Sequence, residues 1–120
     1  MTVRITKQFA FSASHRLRGL AEGHQCARLH GHNYLVEVEL AAESDQLTAT
    51  GFVRDYGDLA PFKQWIDATV DHQHLNDILR ANPTAENLAR WMYDQWAGRF
   101  PELSAVRVSE TPKTWAEFRP

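Results

Sequence analysis

Residues 30–40 read HGHNYLVEVEL. His30, His32, Tyr34, Val36, Val38 and Leu40 share one parity, and Asn33, Leu35, Glu37 and Glu39 share the other. Successive strand side chains point to opposite faces, so the alternation predicts a strand with one buried apolar face. Its start is unusual, because two histidines occupy the first two positions of that apolar face.

Upstream, residues 3–15 show the same period. Val3, Ile5, Phe9, Phe11, Ala13 and His15 fall on odd positions, and Arg4, Thr6, Gln8, Ser12 and Ser14 on even ones. Paired as an antiparallel hairpin, the two strands bring His15, at the end of the first, beside His30 and His32, at the start of the second. All three then share the apolar side. Two imidazoles at i and i+2 with a third from the neighbouring strand make three legs of a tetrahedron and leave its fourth position open, the pattern of a catalytic zinc site. His24 and His74 have no such convergence and are expected to be solvent-facing loop residues.

Cys26, the only cysteine, lies in the connection four residues before His30. It could be a fourth ligand, an inert small hydrophobe, or a base beside the metal, since a nearby cation lowers a thiol's pKa. Asp71-His72, in VDHQHLND, could complete a proton relay with such a thiol, or could be turn chemistry after a helix. Glu110 continues the apolar parity of Val106 and Val108 in SAVRVSE. A carboxylate there needs partners. Either a salt bridge supplies them, or a ligand does so with two adjacent N–H donors, as on the amidine-like edge of a pterin or guanine.

Between and after these segments the period changes. Leu59, Phe62, Ile66 and Val70 predict an amphipathic helix with Asp58 as N-cap and Pro61 in its first turn. Thr84 caps a second helix carrying Leu88, Trp91, Met92 and Trp96 on one stripe, ended by Gly98 and Pro101. Strands return at SAVRVSE and TWAEF. The expected order is ββααββ: an α+β domain with a four-stranded, largely antiparallel sheet and two helices on one face. Such a sheet has open edges, which invite pairing with another chain, and closure into a barrel of several copies is one remedy.

The chain has 120 residues, one domain's worth, with 43% AVILMFWYC and 23% DEKR. No apolar run approaches the roughly 18 residues of a membrane span. A formal charge of −2 without a Lys/Arg cluster gives no electrostatic reason to expect nucleic-acid binding, so a small-molecule partner is expected. One cysteine and an N-terminus without an apolar leader point to a reducing cytoplasm.

FSASHRL, CARLHGHNYLVEV, VRDYGDL, VDHQHLND, NPTAENLARWMYDQ and VRVSETP stand in the order and spacing of the 6-pyruvoyl-tetrahydropterin synthase family, which the chain resembles over nearly its whole length. The short Cys-x-x-x-His-Gly-His spacing most resembles the bacterial 6-carboxy-5,6,7,8-tetrahydropterin synthase branch. The resemblance implies a tunnelling fold, in which subunit sheets close into a barrel with active sites at subunit interfaces, in a homo-oligomer such as a hexamer. It implies zinc on His15, His30 and His32, with Cys26 as proton acceptor. Asp71 and His72 would complete the relay from the same or an adjacent subunit, and Glu110 would anchor the pterin and share in the proton relay. The implied substrate is 7,8-dihydroneopterin triphosphate. Its products in the carboxy branch are 6-carboxytetrahydropterin, acetaldehyde and triphosphate, on the route to 7-deazapurines such as queuosine. The pyruvoyl-forming reaction and a non-catalytic, zinc-stabilised pterin- or guanine-binding module are the alternatives. One departure concerns triphosphate contacts: the family's lysine after the Leu of Asp-Tyr-x-x-Leu is here Ala60, with the nearest lysine at Lys63.

Overall fold

Thr2–His15 (β1) and His30–Glu43 (β2) pair antiparallel in one unbroken register that sets His15 opposite His30 and Ala13 opposite His32. The computed structural model describes residues 1–120. After the hairpin come α1 (Ala60–Thr69), β3 (Gln73–His74), α2 (Ala85–Trp96), β4 (Leu103–Thr111) and β5 (Thr114–Phe118). The sheet order is β3-β1-β2-β4-β5, antiparallel throughout except for the parallel β1–β3 pair.

The sheet therefore has five strands, not the expected four, and the order is ββαβαββ. The added strand is two residues long, Gln73 and His74 beside Ala13 and Ser14. So short a strand has no detectable period, and only its partner makes it one. His74, expected in a solvated loop, is a member of it and is half-buried, with Nδ1 3.0 Å from the Ser14 hydroxyl.

Both helices lie on the odd face of β1 and the even face of β2, as the parity requires. Phe9 meets Phe62 of α1 with ring centroids 5.0 Å apart, and Phe62 meets Trp96 of α2 at 5.4 Å. Leu59, Phe62, Ile66 and Val70 are all buried, and α2 buries Leu88, Ala89, Met92 and Trp96. Trp91 is only half-buried and packs on Trp65 instead, at 5.1 Å. Thr84 caps α2 by accepting the Asn87 N–H at 3.1 Å. The cap expected at Asp58 lies upstream. Asp55 accepts the Gly57 N–H at 2.8 Å and starts a 3-10 turn, Tyr56–Leu59, that runs into α1, while Asp58 pairs with Arg54 at 3.3 Å. An aspartate caps from an extended residue, and the chain is already turning at Asp58.

The opposite face of the sheet is polar but not uniformly wet. At a bulge between Glu39 and Leu40 of β2, the extra β4 residue Ser104 donates its hydroxyl to Glu39 at 2.7 Å. Glu39 is 2% exposed, beneath Arg107 and Arg119. No helix is long and apolar enough to cross a membrane.

Candidate metal centre

The hairpin register brings His15, His30 and His32 together at one end of the sheet. Their ring centroids are 4.6–5.0 Å apart and their potential ligand atoms all lie within 4.8 Å of one another. Gly31, between two of them, leaves room for β1: a Cβ there would stand 3.3 Å from the Ala13 carbonyl oxygen, tighter than most real contacts.

The decisive feature is where the outer nitrogens point. His15 Nδ1 lies 2.8 Å from the Pro83 carbonyl oxygen and His30 Nδ1 lies 2.7 Å from that of Arg28. A carbonyl only accepts, so each Nδ1 carries the proton and each neutral ring presents an Nε2 lone pair. Those two Nε2 atoms are 3.0 Å apart. Facing lone pairs at that distance repel unless a cation takes both. His15 is fully buried, and burial holds its pKa below the usual histidine value, in the neutral form that ligates metals.

Glu110, near the end of β4, supplies the matching charge. Its Oε2 is buried without a hydrogen-bond partner, 3.9 Å from His15 Nε2 and 3.8 Å from His32 Nε2. A partnerless carboxylate oxygen held beside the His15 Nε2 lone pair is the surrounding a divalent cation would stabilise. The donor set of three imidazoles fits zinc. Glu110 also lines a cavity of ≈ 340 Å³ between the first turn of α2 and the β4–β5 hairpin, with Ala85, Glu86, Val108 and Trp115.

Asp71 and His72 are brought together, on the edge of β1 away from β2. Asp71 Oδ1 accepts the Ser12 N–H at 2.9 Å and lies 3.1 Å from His72 Nδ1. The Ser12 N–H, followed by His72, holds the Asp71 carboxyl below its usual pKa. His72 has φ +59°, a left-handed conformation uncommon for a side-chain-bearing residue, and is 82% exposed. With Ser12, Ser14, Asn33 and His32 it lines an open cavity of ≈ 600 Å³. Cys26 sits apart from this pair, half-buried in a 3-10 turn (Gln25–Ala27), as a free thiol. No hydrogen bond joins it to Asp71 or His72. His24, exposed as expected, caps that turn by accepting the Cys26 N–H at 3.1 Å.

Sequence patterns missed three contributors. The Pro83 and Arg28 carbonyls have no residue-type signature, and Glu86 stands in a stretch that otherwise only signals a helix start.

The fold and centre define an α+β protein whose three-histidine, metal-competent cluster lies at the open end of a mainly antiparallel sheet. The family model described as 6-pyruvoyl tetrahydropterin synthase matches residues 4–120, and the chain belongs to that family. It is 37% identical over 120 residues to the 6-carboxy-5,6,7,8-tetrahydropterin synthase of Synechocystis sp., covering 95% of this chain and 91% of the relative. To the enzyme of that name from Rickettsia typhi it is 35% identical over 144 residues, covering 96% and 99%. Among solved structures, the 6-pyruvoyl tetrahydropterin synthase of Caenorhabditis elegans superposes with TM-score 0.84 at 28% identity, covering 100% of this chain and 96% of that one.

Proposed function

We propose that the protein is a zinc-dependent 6-carboxy-5,6,7,8-tetrahydropterin synthase acting on 7,8-dihydroneopterin triphosphate. The products are 6-carboxytetrahydropterin, acetaldehyde and triphosphate, on a cytoplasmic route to 7-deazapurines such as queuosine. One observation carries it: two Nε2 lone pairs converging at 3.0 Å beside the partnerless, buried Glu110 carboxylate oxygen. The names of the Synechocystis and Rickettsia relatives support the carboxy product.

In this reading His15, His30 and His32 hold the metal. Bound zinc supplies Lewis acidity toward the substrate's side-chain hydroxyls, which acidifies the neighbouring C–H bonds. Cys26 takes the proton, and the Asp71–His72 pair, of the same or an adjacent subunit, holds and passes it on. Glu110 receives the N–H edge of the pterin and orients the ring, with Glu86 on the same cavity. Two copies meet along sheet edges. Only Ala13 and Ser14 of β1 are covered by β3, so most of that long strand offers an unpaired edge, and β5 offers the other.

The test is mass spectrometry of the products from zinc-loaded protein and 7,8-dihydroneopterin triphosphate, with acetaldehyde trapped as a hydrazone. Carboxytetrahydropterin with acetaldehyde supports the assignment, and unchanged substrate overturns it. The 28% identical Caenorhabditis elegans structure favours one second reading, a pyruvoyl product, which releases no acetaldehyde. Cys26→Ala tests the proton acceptor and the binding-module alternative together. Zinc content is expected to stay stoichiometric while turnover falls by at least about 100-fold, the order of a lost general base. Loss of zinc along with turnover would make Cys26 a ligand.

A further inference from the structure

The segment after His15 is gripped from one side by two carboxamides. The Asn76 Oδ1 accepts the Arg16 N–H and its amide donates to the Arg16 carbonyl, both at 2.8 Å. Asn82 repeats the arrangement on Arg18, at 2.9 and 3.0 Å. The residue between them, Leu17, turns its N–H the other way, to the Cys26 carbonyl at 3.0 Å. Alternating sides is how an extended chain bonds, so residues 16–18 continue β1 past its last ladder pair, with asparagine side chains in place of a neighbouring strand.

Asn82 has a second attachment. Its own carbonyl accepts the Asn87 side-chain amide and the Thr84 N–H, each at 2.8 Å, which fastens it to the first turn of α2. The residue that follows is Pro83, whose carbonyl takes the His15 Nδ1–H. The proline ring restricts the backbone of the residue before it, so Asn82 has few conformations in which to move. The Pro83 carbonyl is thus held against His15 through bonds to Arg18 on one side and to α2 on the other.

We infer that Asn82 is a positioning residue for the metal. By clamping Arg18 it keeps the Pro83 carbonyl on His15 Nδ1, which keeps the proton off Nε2 and the lone pair aimed at the ion. This rests on the metal assignment made above. Loosening the clamp lets His15 sample the other tautomer and other ring orientations, in which it cannot ligate. Loss of such an outer partner lowers metal affinity by about 10- to 100-fold.

Zinc dissociation constants from competition with a chromophoric chelator, measured on the unaltered chain, Asn82→Ala, Asn82→Asp and Arg54→Ala, test this. Arg54→Ala removes the Arg54–Glu102 pair at the opposite end of the sheet and controls for general destabilisation. The expected result is about tenfold or greater weakening in Asn82→Ala. Asn82→Asp, which keeps the acceptor for the Arg18 N–H, should weaken less, and Arg54→Ala should be unchanged. Nitrogen-15 shifts of metal-free protein should show His15 as Nδ1–H alone in the unaltered chain and as mixed tautomers in Asn82→Ala. Equal zinc affinity in the unaltered chain and Asn82→Ala, or equal weakening in Asn82→Ala and Arg54→Ala, overturns the role of Asn82 alone. Absence of zinc binding by the unaltered chain overturns the metal assignment and this role with it.

Discussion

His15→Ala is expected to lose zinc altogether: stoichiometric in the unaltered chain, undetectable in the variant by elemental analysis after dialysis. His15 has the most constrained ring of the three histidines, being fully buried, bonded to Pro83 through Nδ1 and 3.2 Å from the Tyr34 hydroxyl. Two imidazoles remain after its removal, and neither His30 nor His32 is as enclosed. Loss of a direct ligand exceeds loss of an outer partner, so affinity should fall by more than about 100-fold. The Pro83 carbonyl also loses its donor, a cost of about 1–3 kcal/mol in stability for a buried acceptor. Chelator competition separates the two effects, because thermal denaturation of metal-free protein reports only the second. Zinc retained with unchanged affinity would place the metal elsewhere or nowhere.

The second large effect is expected far from the histidines. Glu39 accepts Arg119 through both oxygens at 2.9 and 3.0 Å, Ser104 at 2.7 Å, and also Arg107. These bonds, Arg119 foremost, hold its pKa at about 2 against an ordinary 4.5. The folded state thus favours the charged form. Stability from this group is fully present above the ordinary value and is lost as pH falls toward the folded value; it amounts to about 3 kcal/mol at neutral pH. Glu39→Ala removes the buried carboxylate that both guanidinium groups share, leaving them the more exposed Glu117 at 2.9 and 3.1 Å, so the cost is about the same 3 kcal/mol. Urea midpoints of the unaltered chain and the variant should differ widely near neutral pH and converge as the pH approaches about 2, where the native carboxyl also takes up its proton. A gap that stays constant down to that pH would show that packing, not charge, stabilises the site.

Glu39 shows what the sequence pattern missed. Its alternation with Val38 and Leu40 places it on the polar face, and it is there. That this face buries a carboxylate depends on Arg107, Arg119 and the bulge residue Ser104, none of them closer than 65 positions along the chain. Asp58 is the converse case, an acid before an apolar-periodic run that reads as a helix cap. The chain begins to turn three residues earlier, and capping passes to Asp55. Cap rules locate a helix start only to within the length of a 3-10 lead-in.

The sequence by itself determined the strand faces, the two helices and the side and end of the sheet at which His15, His30 and His32 meet. Those follow from periods of 2 and 3.6, which are properties of the local backbone and of each residue's apolarity. Only the tertiary structure decided which nitrogen His15 and His30 offer, because a tautomer is chosen by the hydrogen-bond partner of the other nitrogen. For His15 that partner is the Pro83 carbonyl, 68 residues away. The same holds for β3, a strand only because β1 lies beside it, and for the partnerless Glu110 oxygen. Period and composition describe what a residue prefers; an ionic or hydrogen-bonding role depends on the few atoms within about 3 Å of it, and those come from anywhere in the chain.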